Sequence, residues 1–215
     1  MRVSSDLHTL AGIDGSLSVD GGSSITGDLL QLDGSGMVQP TLVSLTADSF
    51  VRSNAAAINY ESMDRLEILL GQATDQVIIN STHVGETTLN TGGGDDQIDV
   101  EATNGPTVLE SGAGNDDIEI GALAGTITGV VGMLTIDAGE ATLEDVLVIN
   151  DSNNQQPVQA TLTSDSITGF APGDLVYGNI EQLTLLFGQG GDQLVIESTH
   201  AAATVVQMNA GDDLV

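Results

Sequence analysis

Glycine and aspartate recur together in short turns about every 20 residues, and these turns carry the residues best suited to chemistry. Residues 92–96 (GGGDD) and 112–117 (GAGNDD) are the fullest examples, and each stands directly before an aliphatic segment. Glycine lets the backbone adopt positive φ and turn its carbonyl oxygens toward one point, and aspartate adds a carboxylate. Carbonyl and carboxylate oxygens are the ligands that Ca²⁺ prefers. The candidate metal-ligating residues are Asp75, Gly94, Asp95, Asp96, Gly114, Asp116, Asp192, Gly211, Asp212 and Asp213.

The charge balance bears directly on these turns. The chain has 31 acidic and three basic residues, a formal net charge of −28. Stacked turns would place like carboxylates about 4.8 Å apart, where each pair repels by roughly 3 kcal/mol at an effective dielectric near 20. Two interpretations stay open: Ca²⁺ between the turns relieves the repulsion, or the turns are metal-free and aspartate oxygens cap backbone amides. The negative charge also disfavours nucleic acid and anionic lipid as partners.

Two histidines at equivalent positions, His83 and His200, are the next candidates for chemistry. Zinc needs about four converging ligands, and neither histidine is accompanied by a second histidine or a cysteine. We therefore expect both to be solvent-facing turn residues.

Catalysis is not expected. The acidic residues repeat at successive turns, which is the opposite of a unique site with two differently tuned carboxylates. The basic candidates Arg52 and Arg65 are replaced by Gly169 and Gln182 at the equivalent positions of the second copy of the repeat described below. We predict no enzyme, no catalytic residues and no bound organic cofactor.

The segments between the turns are predicted to be short strands. Apolar residues alternate at i and i+2, as in Val77 with Ile79 and Ile98 with Val100, a pattern typical of half-buried strands rather than helices. Val77, Ile98 and Ile118 are 21 and 20 residues apart. Two strands and two turns in each period predict an all-β fold, a parallel β-solenoid with about 20 residues and two short strands per coil.

A longer repeat contains the shorter one. Residues 1–98 align without a gap with residues 118–215, at an offset of 117, and 30 of the 98 aligned pairs are identical. We predict two tandem modules, residues 1–117 and a truncated module of residues 118–215 that continues the same solenoid. Ordering a 20-residue coil costs on the order of 20–40 kcal/mol of conformational entropy. Isolated coils are therefore not expected to fold, and neighbouring coils must cover each other.

One turn resembles a known family. Residues 112–119 (GAGNDDIE) look like the hemolysin-type (RTX) calcium-binding nonapeptide, in which Gly-Gly-x-Gly-x-Asp precedes an aliphatic residue. The wider unit, for example residues 17–22 and 194–200, is similar to repeats of very long bacterial surface and secreted proteins. The resemblance implies a right-handed parallel β-roll, calcium-driven folding outside the cell and a dedicated export system. RTX arrays carry such turns at both edges, whereas residues 81–85 here lack them, so only one edge is expected to bind metal.

These patterns together predict a structural segment of a giant extracellular or cell-surface protein, acting as a stalk, adhesin spacer or filament. Its expected partners are neighbouring repeats of the same protein, through head-to-tail self-association. No apolar stretch is long enough to insert into a membrane. The alternative is a glycan- or ice-binding solenoid module, suggested by Thr87, Thr107 and Thr126, which recur close to the coil spacing.

Overall fold

The computed structural model describes residues 1–23, 27–139 and 144–215, and every regular element in this part of the chain is a β-strand. Twenty strands form two ten-stranded sheets. Sheet 1 contains β1 (Arg2–Val3), β3 (Leu29–Asp33), β7 (Arg65–Leu69), β9 (Glu86–Asn90), β11 (Thr107–Glu110), β13 (Leu134–Asp137), β15 (Gln159–Leu162), β16 (Ser166–Thr168), β17 (Leu175–Gly178) and β19 (Gln193–Ile196). Sheet 2 contains β2 (Leu17–Asp20), β4 (Leu42–Leu45), β5 (Ser49–Arg52), β6 (Ile58–Glu61), β8 (Gln76–Ile79), β10 (Gln97–Val100), β12 (Asp117–Ile120), β14 (Val146–Asn150), β18 (Gln182–Leu186) and β20 (Ala203–Gln207).

The chain passes back and forth between the two sheets, so neighbouring strands of a sheet come from different passes. Sheet 1 has the order β1-β3-β7-β9-β11-β13-β17-β16-β15-β19, and sheet 2 has the order β2-β6-β5-β4-β8-β10-β12-β14-β18-β20. Within the described ranges, antiparallel pairs occur only inside the meanders β4–β5–β6 and β15–β16–β17, and all other pairs are parallel. The all-β prediction with mainly parallel pairing is confirmed.

Strands that share the aliphatic pattern lie side by side and in register. Ile98 of β10 is paired with Val77 of β8 on one side and with Ile118 of β12 on the other. The next partners along sheet 2 are Leu147 and Leu183, although they follow at spacings of 29 and 36 residues (118 to 147, 147 to 183). We call such a row of paired residues across neighbouring strands a column, and one crossing of the chain through both sheets a pass. Longer turns between passes do not disturb the columns, because the register of each strand is set by which of its faces is buried.

The core lies between the sheets and is built from the alternating aliphatic positions. The inward residues of the central strands are fully buried, as at Leu89 and Leu109 in sheet 1 and Ile98 and Ile118 in sheet 2. Each such side chain contributes roughly 1.5–3 kcal/mol by leaving water. One pass supplies too few of them to offset its ordering entropy, so stability comes from stacking passes on one another.

The 117-residue repeat has a structural counterpart with one unexpected feature. A shift of 117 carries β2–β9 onto β13–β20 strand by strand, but every strand's counterpart lies in the other sheet. The chain crosses between the sheets an odd number of times from β2 to β13, which produces this exchange. The meander β4–β5–β6 therefore widens sheet 2, and its copy β15–β16–β17 widens sheet 1.

Candidate functional site

The Gly–Asp turns stack directly on one another at the edge where the chain enters sheet 2. Gly114 has φ of 147°, and a Cβ on it would lie 2.0 Å from the carbonyl oxygen of Gly94 in the preceding turn. Gly94 itself has φ of 108°. Glycine is required at these positions because both the backbone conformation and the close approach of the turns exclude a side chain.

Carboxylates link the stacked turns in a continuous series. Five acidic residues each accept the backbone N–H of the equivalent residue one pass away, and each stands directly before a strand of sheet 2. We call this series the carboxylate ladder. Its hydrogen bonds run from Thr41 N to Asp75 (2.7 Å), Asp75 N to Asp96 (2.7 Å), Asp96 N to Asp116 (2.9 Å), Asp116 N to Asp145 (2.8 Å) and Asp145 N to Glu181 (3.0 Å). The ladder thus extends the hydrogen bonding of the sheet by one position into the turn.

A second, shorter series repeats this arrangement at the entrance to sheet 1. Val158 N donates to Asp192 and Asp192 N donates to Asp213, both at 2.8 Å. These bonds are the 117-residue equivalents of the first bonds in the ladder, those to Asp75 and Asp96. Gly211, beside this series, also has positive φ (141°).

The ladder carboxylates are buried, and burial changes their acidity. Asp96 and Asp116 are 2% and 1% exposed, and Asp145 is fully buried. Burial raises the pKa of Asp96 to about 7, outweighing the amide of Asp75 that lowers it. Burial likewise raises the pKa of Asp145 to about 6, and it raises the pKa values of Asp75 and Asp116. An ionised carboxylate at these positions is costly because only one of its oxygens is compensated.

The second oxygen of most ladder carboxylates has no partner. Oδ2 of Asp96, Asp116 and Asp145 is buried and accepts no hydrogen bond from any described residue, and the same holds for Oδ2 of Asp192. A buried oxygen in this position becomes either a protonated hydroxyl or an oxygen that contacts a cation.

The outer residues of the turns behave differently. Asp95 and Asp212 are exposed. Asp95 accepts the N–H of Asn115 (2.9 Å), and Asn115 Oδ1 accepts the N–H of Glu144 (3.0 Å), so this outer series runs opposite to the ladder. The structure therefore separates Asp95 from Asp96, two residues that the sequence pattern treats alike.

Calcium can fit this edge only through a mixed ligand set. Among residues 1–23, 27–139 and 144–215, no three His, Cys, Asp or Glu side chains lie close enough together to hold a metal ion. One oxygen of each ladder aspartate is engaged by an amide, and Ca²⁺ takes six to eight oxygens. Backbone carbonyls and water would have to complete any coordination.

Two ladder residues, Asp145 and Glu181, were not among the sequence candidates. They follow their predecessors in the ladder by 29 and 36 residues, so the period of about 20 does not find them. They can be recognised instead by their place next to a strand, because each stands immediately before a strand of sheet 2.

His83 is buried, and the prediction that it faces solvent is wrong. Only 8% of the residue is exposed. Its ring meets Tyr60 edge to face, with centroids 6.2 Å apart, and its Nδ1 is 3.0 Å from the hydroxyl of Thr87. Tyr60 belongs to β6, so the meander covers the turn that holds the histidine. His200 is half-buried in the same arrangement beside Tyr177.

The threonine column does not form a surface. Thr87 and Thr107 point into the core and are fully or almost fully buried, and Thr126 lies outside any strand. The hydroxyl of Thr107 donates to the carbonyl of Gly105 (3.1 Å) and lies 3.3 Å from that of Thr82. The prediction of an exposed threonine face at these residues is therefore wrong.

The comparisons with known proteins do not identify a family for this chain, so its function is inferred from the geometry described above. The described residues contain no helix long and apolar enough to cross a membrane. No protein-family model matches the chain, and no curated protein or solved structure matches it.

Proposed function

We propose that the chain is a right-handed parallel β-solenoid, with about 20 residues per coil in its regular part, that serves as a stiff structural segment of a longer extracellular or cell-surface protein. The role is that of a stalk, adhesin spacer or filament. The observation that carries the proposal is the carboxylate ladder, which joins successive passes over residues 41–181 without interruption. The right-handed sense follows the RTX rolls that residues 112–119 resemble.

Bonds that run along the stacking direction make such a segment resist stretching and bending. Each pass is held to the next by parallel strand pairing in both sheets and by one ladder bond at the turn. A ladder bond contributes about 0.5–1.5 kcal/mol net when the acceptor is protonated and about 1.5–3 kcal/mol when it is ionised, before the cost of burying the charge is counted. Because each repeat contacts mainly its neighbours, these contributions are spread evenly along the axis. Such an even distribution is what a segment under tension needs, since no single interface is much weaker than the others.

Head-to-tail association of modules or copies belongs to the same proposal. At one end of the stack, β20 is paired on one side only, and the second side of β19 carries only the bridge from Gln193 to Leu214 among the described residues. Ile196 of β19 is 44% exposed, while its 117-residue equivalent, Ile79, is fully buried between passes. The end strands run parallel to β1 and β2 at the other end. A further module or second copy can therefore add in the parallel sense and cover the exposed apolar residues.

Calcium is the cation we propose for the ladder edge. The unpartnered Oδ2 atoms of Asp96 and Asp116 support this assignment, as does the net charge of −28, which arginine cannot balance. Ca²⁺ would supply charge compensation to these oxygens, and the aspartates would hold it with backbone carbonyls. The glycines of the turns contribute to this site by allowing successive turns to approach closely, which brings the aspartates near one another.

The proposal is tested by how the length of the protein grows with the number of tandem copies. Proteins containing one, two and three copies of residues 1–117 are compared by small-angle X-ray scattering, and sedimentation of the present chain at rising concentration tests association. A spacer predicts a maximum dimension that grows linearly with copy number at constant cross-section. Growth of the cross-section instead, or specific retention of a single copy on ice or a glycan array, would contradict a purely structural role.

A further inference from the structure

Two equivalent open cavities lie where the meanders meet the neighbouring turns. The first has a volume of about 300 Å³ and is lined in part by Asp48, Tyr60, Glu61, Met63, His83 and Val84. The second has a volume of about 440 Å³ and is lined in part by Tyr177, Asn179, Ile180, Glu181, His200 and Ala201. We call them the twin cavities. The twin cavities are separate from the carboxylate ladder except at Glu181, which accepts the last ladder bond and also lines the second cavity.

The two cavities share one framework of identical residues. In the first, the Tyr60 hydroxyl donates to the carbonyl of Thr46 (2.5 Å), and the tyrosine ring packs against His83. In the second, the Tyr177 hydroxyl donates to the carbonyl of Thr163 (2.7 Å). The His200 ring again stands edge to face with its tyrosine, at 6.3 Å, and its Nδ1 is 3.1 Å from a threonine hydroxyl.

This framework has survived extensive divergence between the two copies. Only 30 of 98 aligned pairs are identical, yet the tyrosine, the histidine and both threonines are retained. The apolar wall residues vary in size, as in Met63 against Ile180 and Val84 against Ala201. The rim carboxylate Glu61 is replaced by Gly178 in the second copy, whose lining carboxylate is Glu181. A shared framework with variable apolar walls is the pattern of a site that keeps its polar group and tolerates change around it.

The polar groups at the first cavity can accept hydrogen bonds, and two of them, Ser62 and Asn104, can also donate. Nε2 of His83 is buried and has no partner among the described residues. Burial lowers the pKa of His83, so the ring is neutral at pH 7, and Nε2 is an acceptor when Nδ1–H donates to Thr87. Asp48 and Glu61 are exposed carboxylates at the rim. No lysine or arginine lines either cavity.

We propose that each twin cavity binds the side chain of a lysine from a basic peptide segment of another protein. The lysine stem is an apolar chain that matches the walls, and its ammonium group offers three donors to the carboxylates of Asp48 and Glu61 at the first cavity and of Glu181 at the second. This chain cannot supply the lysine itself, because its three basic residues are all arginines. Its net charge of −28 attracts a basic partner over long range.

The exchange of sheets gives this binding a geometry that a spacer alone does not have. Tyr60 lies in sheet 2 and Tyr177 lies in sheet 1. One chain therefore presents two related cavities on two different sheets. Binding at both would let the protein join two basic partners rather than hold one, and this function goes beyond the structural role proposed above.

Nuclear magnetic resonance titration of the full chain with short peptides tests the proposal. The probe is acetyl-Gly-Lys-Gly-amide, and its controls are the norleucine analogue, which lacks the ammonium group, and spermidine, a free polyamine. The lysine peptide is expected to shift the amide signals of Val84 and Ala201 saturably, with millimolar affinity. The norleucine peptide is expected to shift neither. Saturation by spermidine without saturation by the lysine peptide would overturn the assignment to a peptide.

A variant at one cavity uses the other as its internal control. Asp48→Asn with Glu61→Gln changes exposed carboxylates of the first cavity only, and we expect binding at Val84 to weaken about fivefold while Ala201 is unaffected. The charge-matched control is Asp6→Asn with Asp117→Asn, at two exposed residues that line neither cavity. Equal weakening by this control, or unchanged binding in the Asp48→Asn, Glu61→Gln variant, would show non-specific attraction to an acidic surface and overturn the proposal.

Discussion

Removing the charge of one ladder residue while keeping its hydrogen bond separates the two roles of the ladder. In the wild type, Asp75 N lies 2.7 Å from Oδ1 of Asp96. In Asp96→Asn the side-chain amide oxygen can still accept this N–H, but the side chain no longer ionises. The pKa of Asp96 is raised by burial to about 7 from 3.8. The folded protein therefore holds the proton more tightly than the unfolded chain does.

The sign and size of the effect follow from this difference. Below pH 4 both states are protonated and the group costs nothing. Between pH 4 and 7 the unfolded chain releases its proton first, and the free energy of unfolding falls as pH rises. Above pH 7 the full difference of about 3 pKa units applies, which is a loss of about 4 kcal/mol in metal-free buffer.

Asp96→Asn should abolish this loss. At pH 8 in EDTA we expect the variant to be more stable than the wild type by about 1–3 kcal/mol, since the unpartnered amide NH₂ that replaces Oδ2 costs part of the gain. At pH 4.5 the wild type has regained about 3 kcal/mol of this loss, so it should be the more stable of the two by up to about 2 kcal/mol. Asp96→Ala, which removes the acceptor as well, should be less stable than Asp96→Asn at both pH values.

Urea unfolding followed by circular dichroism, from pH 4.5 to 8, measures these differences. Calcium provides a further arm: added at pH 8, it should stabilise the wild type and leave Asp96→Asn unchanged. A wild-type stability that rises between pH 5 and 8 in EDTA would refute the reasoning. So would an Asp96→Asn variant that is as unstable at pH 8 as Asp96→Ala.

Three further predictions concern the turns, the core and the cation. Gly114→Ala should destabilise by more than about 2 kcal/mol in urea unfolding, because its Cβ would meet the carbonyl of Gly94; Gly178→Ala, which meets nothing within 4 Å, should change little. Leu109→Ala should cost about 2–5 kcal/mol by opening a cavity in the core, whereas Leu123→Ala, at a 69% exposed residue, should fall within about 0.5 kcal/mol of wild type. Millimolar Ca²⁺ should raise the melting temperature at pH 8 measured by calorimetry, and unchanged melting would remove calcium from the account.

The sequence pattern predicted the strands and the columns of paired residues, because strands follow from alternation within a few residues and columns follow from a regular spacing between strands. Period-two alternation and the 20-residue spacing placed Val77, Ile98 and Ile118 in one column, and the structure pairs them in register. The meanders and the exchange of sheets were not predicted. They depend on how many times the chain crosses between sheets, and turn composition does not record that number.

Long-range packing also explains what was missed at the site. His83 looks like an exposed turn residue, but Tyr60, 23 positions earlier in the chain, covers it. Thr87 looks like an exposed polar strand residue, yet its hydroxyl is satisfied inside by the same histidine. The ring of Tyr60 that covers His83 is distant in sequence, and the burial of Thr87 beside that histidine depends on the same packing, so single-strand patterns assign both residues to the wrong face.

Distances between spin labels test most directly whether the passes stack in register along one axis. Gln76, Gln97, Asp117, Val146, Gln182 and Ala203 are successive partners across sheet 2. The chain has no cysteine, so cysteine pairs label uniquely. Double electron–electron resonance should give about 19 Å from position 76 to 182 and about 24 Å to 203, for four and five strand spacings. Equal or decreasing distances along this series would contradict stacking of the passes.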